Sequence, residues 1–166
     1  MNINGFEIER KFLIKIPDVN TLLKNPLCRV LKMEQTYLCD GARVRKIEEN
    51  GKVIFIKTVK KHITDIKREE KEWVISEEEY KKDLENKAKG TNIIKKIRYA
   101  IPIQNFIAEI DIFPFWNDRA FLEIELESEE QKIFIPDFIE IIKEVTYDRR
   151  YNNSCLARKI ITEDII

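Results

Sequence analysis

Five consecutive residues near the start of the chain, Glu7-Ile8-Glu9-Arg10-Lys11, carry two chemistries at once. In an extended strand, side chains two apart share a face. Glu7, Glu9 and Lys11 then project together, while Phe6, Ile8 and Phe12 point the other way. A carboxylate pair is a hard oxygen donor set for a divalent cation. A neighbouring ammonium suits a phosphate oxygen. Arg10 falls on the outward face.

The same two-residue spacing recurs along the chain. Arg43 and Arg45 flank Val44, and Lys96 and Arg98 flank Ile97. Glu109 and Asp111 flank Ile110, and Glu123, Glu125 and Glu127 alternate with Ile124 and Leu126. Arg68, Glu70 and Glu72 share a face, and Lys57 ends the run Ile54-Phe55-Ile56-Lys57. A wetted face of an antiparallel sheet accounts for any one of these strands taken singly. It does not account for the sorting of charge by strand, because like charges gathered on one face repel. Inside a closed barrel, acidic strands set against basic ones would hold divalent cations through oxygen ligands and phosphates through Lys and Arg. Periodicity alone leaves open whether the barrel closes with this face inward.

Composition narrows the classes. Lys plus Arg and Asp plus Glu are 30 each, so the formal net charge is zero, although charged residues reach 36%. That balance excludes a general nucleic-acid binder, which needs a cationic surplus. With His62 the sole histidine, a histidine metal site or a Ser-His-Asp triad is excluded; beside Lys60 and Lys61, His62 reads as a solvated loop residue. Cys28, Cys39 and Cys155 form neither a disulfide framework nor a zinc pattern, which fits a reducing cytoplasm. Glu7 and Glu9 stand where a signal peptide would be apolar, and no apolar run approaches the ~20 residues of a membrane span. A cytoplasmic protein without membrane association is expected.

These residues need strands to present them. Strand-like patterns cover residues 6–14, 32–38, 42–48, 53–58, 66–75, 94–101, 106–113 and 120–127, with Asn50-Gly51 as a hairpin turn between two of them. Helical patterns cover residues 18–24, 77–89 and 137–145, and a weaker one runs through 155–161. The second begins with the capping box Ser76–Glu79 and is followed by Gly90. The third follows Pro136 and aligns Phe138, Ile141, Ile142 and Val145. A long basic loop is expected from Thr58 to Lys67. The class is α+β, dominated by an antiparallel sheet, and residues 1–166 read as one domain. About eight strands is also the number that closes a barrel with a narrow interior.

Taken in order, the motifs resemble the CYTH superfamily, the triphosphate tunnel metalloenzymes. Glu7-Ile8-Glu9-Arg10-Lys11 resembles its ExExK strand, Gln35-Thr36-Tyr37-Leu38 its second strand and Arg43-Val44-Arg45 its RxR. Phe55-Ile56-Lys57 resembles T-[LI]-K, with Phe55 in place of threonine. Arg68-Glu69-Glu70-Lys71-Glu72 resembles RxExE, Lys96-Ile97-Arg98 KxR, Asp111-Ile112-Phe113 D-[VI]-F, and Glu123-Ile124-Glu125 ExE. Residues 145–153, from Val145 to Asn153, resemble the closing VTxDxRYxN segment.

The resemblance implies an eight-stranded antiparallel β-barrel forming a tunnel, with helices outside and a triphosphate substrate within. It implies that Glu7, Glu9, Asp111, Glu123 and Glu125 bind Mg²⁺ or Mn²⁺, with Glu70 and Glu72 lining the tunnel beside a second metal. Lys11, Arg43, Arg45, Lys57, Lys96, Arg98 and Arg150 would grip phosphate, and Arg68 joins them in the tunnel. Glu9, Lys11 and Lys96 are the candidate catalytic residues: either lysine receives a proton from the attacking water, or a second metal activates that water. Inorganic triphosphate is the leading substrate; an adenylate cyclase, a thiamine or nucleoside triphosphatase, and a non-catalytic polyphosphate binder are the alternatives. Trp116 is expected to pack beneath the barrel, and an Ile- and Phe-rich exterior makes a homodimer conceivable.

Overall fold

The computed structural model describes residues 5–165. Nine strands make up its sheet: β1 (Phe6–Lys15), β2 (Arg29–Tyr37), β3 (Arg43–Glu49), β4 (Lys52–His62), β5 (Lys67–Ile75), β6 (Ile94–Ile103), β7 (Phe106–Ile112), β8 (Arg119–Leu126) and β9 (Ile141–Glu144). The helices are α1 (Val19–Leu23), α2 (Glu77–Leu84) and α3 (Asn153–Leu156), with a 3₁₀ turn at Arg149–Tyr151.

The first eight strands close into an antiparallel barrel. Its ring order is β1-β5-β4-β3-β2-β6-β7-β8, returning to β1. Closure rests on β1, which pairs with β8 along most of its length and with β5 through Phe6↔Glu69 and Ile8↔Lys67. The charged faces predicted from the sequence do turn inward. Asn50 (φ 50°) and Gly51 (φ 77°) form the expected hairpin turn, both in the left-handed region that a type I′ turn demands.

Hydrophobic side chains of the described residues fill three separate places, one of them beneath α2, where Tyr80 packs with Leu38, Val44 and Ile75. Outside the barrel, Ile8, Phe12, Ile14, Ile110, Leu122 and Ile124 pack with Leu22 of α1 and Ile139. Inside, one end of the barrel is plugged by Leu13, Phe113, Phe121, Tyr151 and Leu156. Trp116 belongs to this plug, as expected: its ring meets Phe121 edge-on at 5.1 Å, and its Nε1 donates to the Ile161 carbonyl at 2.8 Å.

Four expectations are corrected. The helical pattern at residues 137–145 yields β9 instead. β5 leaves the edge of β1 after Ile8, so the free backbone of Phe12–Ile14 is paired by Ile141–Glu144. An exposed strand edge outweighs a short amphipathic period. The expected loop at residues 58–67 is largely strand: β4 runs on to His62 and pairs with β5 through His62↔Arg68. α2 keeps its capping box but stops at Leu84, not Lys89. Residues beyond it are drawn to the end of β2, where Cys39 N–H donates to Asn86 O and Ala88 N–H to Tyr37 O. The weak pattern at residues 155–161 reduces to the single turn of α3.

Candidate functional site

The barrel encloses a cavity of about 510 Å³. Strand alternation decides its lining. β1 contributes Glu7, Glu9 and Lys11; β8 contributes Glu123 and Glu125; β7 contributes Glu109. β3 contributes Arg43 and Arg45, β6 Arg98, β4 Thr58 and Lys60, and β5 Arg68, Glu70 and Glu72. β8 and β3 lie four strands apart in the eight-strand ring, so the carboxylates of one face the guanidinium groups of the other across the interior.

Neighbouring strands add local pairs. Lys11 Nζ lies 2.9 Å from Glu123 Oε1 and 4.0 Å above the Phe121 ring. Arg98 spans three carboxylates: it donates to Asp111 at 2.7 and 2.8 Å and to Glu123 at 3.1 Å, and it also touches Glu109. Arg45 Nη2 donates to Glu72 Oε2 at 2.6 Å, and Thr58 Oγ1 donates to the same oxygen at 2.8 Å. Arg68 Nη1 stands 3.7 Å from Glu9 Oε1.

Charge is unevenly compensated. Burial, followed by the Glu123 and Glu7 charges, pushes the Glu9 carboxyl up to about 7. Glu109 is likewise pushed up to about 7, chiefly by burial, which the Arg98 charge only partly offsets. Glu125 is raised by burial and by the charges of Glu7, Glu70 and Glu9. On the basic side, burial and Arg43 lower Arg45 to about 10. The buried Nε atoms of Arg43 and Arg45 have no hydrogen-bond partner among the described residues. Unspent donors of this kind call for an acceptor.

A divalent cation is tested against the same geometry. Glu9 sits directly opposite Glu125 in the β1–β8 register, and like charges so placed repel. With Glu7 two residues away, the cluster offers hard oxygen donors, and burial together with acidic neighbours raises Glu9 and Glu125. Its chemistry therefore fits a hard divalent cation. Among the described residues, no three His, Cys, Asp or Glu side chains are already gathered closely enough to hold an ion, so the carboxylates must draw together to do so.

This frustration has a measurable consequence. Glu9 and Glu109 titrate near 7 in the folded chain and near 4.5 when unfolded. Between those values the native state binds more protons than the unfolded state, so stability falls as pH rises. Asp111, Glu72 and Glu123 are shifted downward, and their contribution is lost only under more acidic conditions. Metal-free protein is therefore expected to melt at a higher temperature near pH 5.5 than near pH 7.5, in buffer with a chelator. Added Mg²⁺ should raise the melting temperature more at the higher pH. A Mg²⁺ effect independent of pH contradicts the assignment of these carboxylates.

Some expected residues fall outside the cavity lining. Lys57 points to the barrel exterior, where its Nζ donates to both Asp83 oxygens of α2 at 3.0 and 3.1 Å. Strand parity is the reason: Ile56, Thr58 and Lys60 alternate inward, so Lys57 cannot. Arg150 is turned to solvent and bound by Asp148 at 2.7 and 3.0 Å and by Glu163 at 3.2 Å. Lys96 and Asp111 face inward but lie sealed beneath the cavity at 1% and 0% exposure, joined to each other at 2.6 Å. Burial, followed by the Arg98 charge, lowers Lys96 to about 8.

Lys60 and Glu109 are among the cavity residues that escaped the sequence reading of the site. Lys60 Nζ lies 2.6 Å from Glu7 Oε2 and 3.1 Å from Glu70 Oε2. Burial works against its charge, but Glu7, Glu9 and Glu70 outweigh it, and its pKa is raised. Reading residues 58–67 as a loop hid Lys60; the alternation Ile56, Thr58, Lys60 was the available signal. Glu109 was noted as sharing a face with Asp111 and was left off the metal set, yet of the two it is the one that reaches the cavity.

The chain can now be set beside known proteins. The family model for the CYTH domain matches residues 5–151. No curated protein matches the chain. A solved structure of the inorganic triphosphatase NE1496 is 25% identical, with a TM-score of 0.54 over 93% of this chain and 95% of that one. A second structure of NE1496 gives 26% identity and a TM-score of 0.57, over 93% and 99% of the two chains. The PH1012 protein from Pyrococcus horikoshii OT3 shares the fold at 19% identity, with a TM-score of 0.52 over 74% of this chain and 79% of that one. The ordered strand motifs, the closed barrel with its charged interior and the match to residues 5–151 agree: the chain belongs to the CYTH domain family.

Proposed function

We propose that the barrel cavity binds a triphosphate and hydrolyses a terminal phosphoanhydride bond, with inorganic triphosphate as preferred substrate and Mg²⁺ or Mn²⁺ as cofactor. The observation that carries this reading is the pair of facing walls: Arg43 and Arg45 of β3 against Glu123 and Glu125 of β8, inside one cavity of the closed barrel. A polyanion gains most in such a place, because the strand ring fixes the cations before it arrives and low dielectric strengthens each contact.

In this reading Arg43, Arg45, Arg98, Arg68, Lys11 and Lys60 hold phosphate oxygens, the guanidinium groups by paired hydrogen bonds. Glu7, Glu9, Glu123 and Glu125 hold the divalent cation, with Glu70, Glu72 and Glu109 at its flanks. The chemistry such a cation supplies is neutralisation of phosphate charge and a lowered pKa for a bound water. The remaining work is alignment. Arg45 is braced by Glu72, and Arg98 by Asp111 and Glu123. Bracing keeps these side chains from reorganising as charge moves onto the leaving phosphate. Of the two candidate lysines, Lys11 is the one whose ammonium reaches the cavity, where it pairs with Glu123. Lys96 holds Asp111 and through it positions Arg98.

An organic triphosphate is the second reading, favoured by one observation. Leu31, Ile47 and Ile56 line part of the cavity, and Ile47↔Ile54 and Ile56↔Val74 are cross-strand pairs that extend this aliphatic wall. Of the aromatics near the barrel interior, Phe113 and Trp116 are committed to the plug, and Tyr37 lines the cavity. Phosphate release measured over inorganic triphosphate, ATP and thiamine triphosphate, with Mg²⁺ and with Mn²⁺, decides between the readings. Fastest turnover of inorganic triphosphate supports the first. Faster turnover of either organic substrate selects the second, and cyclic nucleotide formed from ATP overturns both.

Lys57 and Lys60 of β4, on opposite faces of the strand, make a paired test of the inward register. Lys60→Ala is expected to lower kcat/KM for triphosphate by about 10²-fold, the scale of removing a charge-assisted contact from a desolvated site. Lys57→Ala should leave kcat/KM nearly unchanged and cost at most about 1 kcal/mol of stability, through loss of the partly exposed Asp83 pair.

A further inference from the structure

We infer that Arg149 is a substrate-binding residue at one mouth of the tunnel, held loosely by Asp65 until a phosphate group takes that carboxylate's place; the inference rests on the triphosphate reading of the cavity. Arg149 opens the 3₁₀ turn, and Asp65 sits at the tip of the β4–β5 hairpin. These are two separate segments, and both residues line the same cavity. Arg149 Nη2 lies 3.6 Å from Asp65 Oδ1, and His62 Nε2 lies 3.5 Å from that same oxygen. At these distances neither contact is a good hydrogen bond. With side chains 73% and 49% exposed, the Arg149–Asp65 pair contributes little to stability and is cheaply broken.

The adjacent arginine makes the contrast. Arg150 is committed to Asp148 through two short hydrogen bonds and to Glu163 by a third, and it lies off the cavity. Arg149 has no comparable hydrogen bond among the described residues. A guanidinium at a tunnel mouth, facing one loose carboxylate, has its fork of donors free for a phosphate, which accepts two parallel N–H bonds where Asp65 now accepts none of good geometry. The long cavity makes such a contact reachable, since it runs unbroken from Glu9 and Lys11 to Arg149.

Asp65 then has an effect opposite to that of Arg149. Its charge competes for Arg149 and repels an incoming polyanion. If the pair were only a latch between the two segments, removing either partner would act in the same direction. The sign therefore separates the two roles.

KM and kcat for inorganic triphosphate with Mg²⁺, measured at low ionic strength, supply the test. Arg149→Gln is expected to raise KM about fivefold and to leave kcat within about twofold, the range of an exposed charge contact. Asp65→Asn should lower KM about threefold, and the double variant should have a KM between those of the two single variants, closer to that of Arg149→Gln. Arg149→Lys keeps the charge, loses the fork and should fall between wild type and Arg149→Gln. Equal-direction shifts for the two single variants, or no shift in either, overturn the assignment. Failure of the underlying reading would look different: the wild type itself would release no phosphate from triphosphate.

Discussion

Glu9→Gln and Glu125→Gln are each expected to reduce Mg²⁺-dependent triphosphate hydrolysis by at least about 10³-fold while the barrel still folds. The size follows from position. Glu9 and Glu125 are register partners on β1 and β8, and Glu7 and Glu123 stand beside them. Converting one carboxylate to an amide removes a hard anionic ligand from a cation site built on few of them. Folding should survive, because the change also removes a like-charge repulsion: Glu9 is pushed up to about 7 by burial and by its acidic neighbours. Metal-free Glu9→Gln protein is thus expected to melt at or above the wild-type temperature at pH 7.5, with most of its Mg²⁺-induced stabilisation gone. Near-normal Mg²⁺-dependent turnover in both variants would remove the carboxylates from the metal assignment.

Phe121→Ala is expected to destabilise the protein by about 3–5 kcal/mol, the range for emptying a buried aromatic site. Phe121 is fully buried in the plug that closes one end of the barrel. Its ring meets Phe113 at 5.5 Å, Trp116 at 5.1 Å and Tyr151 at 6.1 Å, all edge-on. The plug also shapes the site, because Lys11 Nζ rests 4.0 Å above the Phe121 ring. Truncation therefore removes packing and a cation–π contact with an ammonium of the cavity. Urea unfolding gives the stability, and KM for triphosphate reports Lys11. Phe121→Leu restores much of the volume but not the ring, so it should recover more stability than substrate affinity. Equal recovery of both would show that Lys11 does not depend on the ring.

Much of this architecture can be read from residue types at a period of two. Glu7, Glu9 and Lys11 declare one charged face, and the acidic and basic strands sort themselves before any partner is known. That this face, with Arg43, Arg45, Arg98, Glu123 and Glu125, turns inward comes from the closure of the barrel. What cannot be read this way depends on register and edges. Lys57 looks like a cavity residue when its strand is ended at Thr58; extending β4 to His62 shows that Lys60 has the inward parity. β9 carries a helical period, and only the unpaired backbone of Phe12–Ile14 makes it a strand. Depth along the barrel is equally invisible: Lys96 and Arg98 share a face, yet Lys96 is sealed under the floor with Asp111 while Arg98 reaches the cavity. The pair Arg149 and Arg150 shows the same limit, since the 3₁₀ turn sends one to the tunnel mouth and the other to solvent.

The most direct test of the central claim, a metal-assisted triphosphatase housed in this barrel, is ³¹P NMR of inorganic triphosphate incubated with the wild-type protein and Mg²⁺. Triphosphate is expected to disappear as pyrophosphate and phosphate appear in equal amounts, and a chelator should stop the reaction. Triphosphate that persists unchanged with Mg²⁺ and with Mn²⁺, or that is consumed at the same rate with the chelator present, would contradict the account.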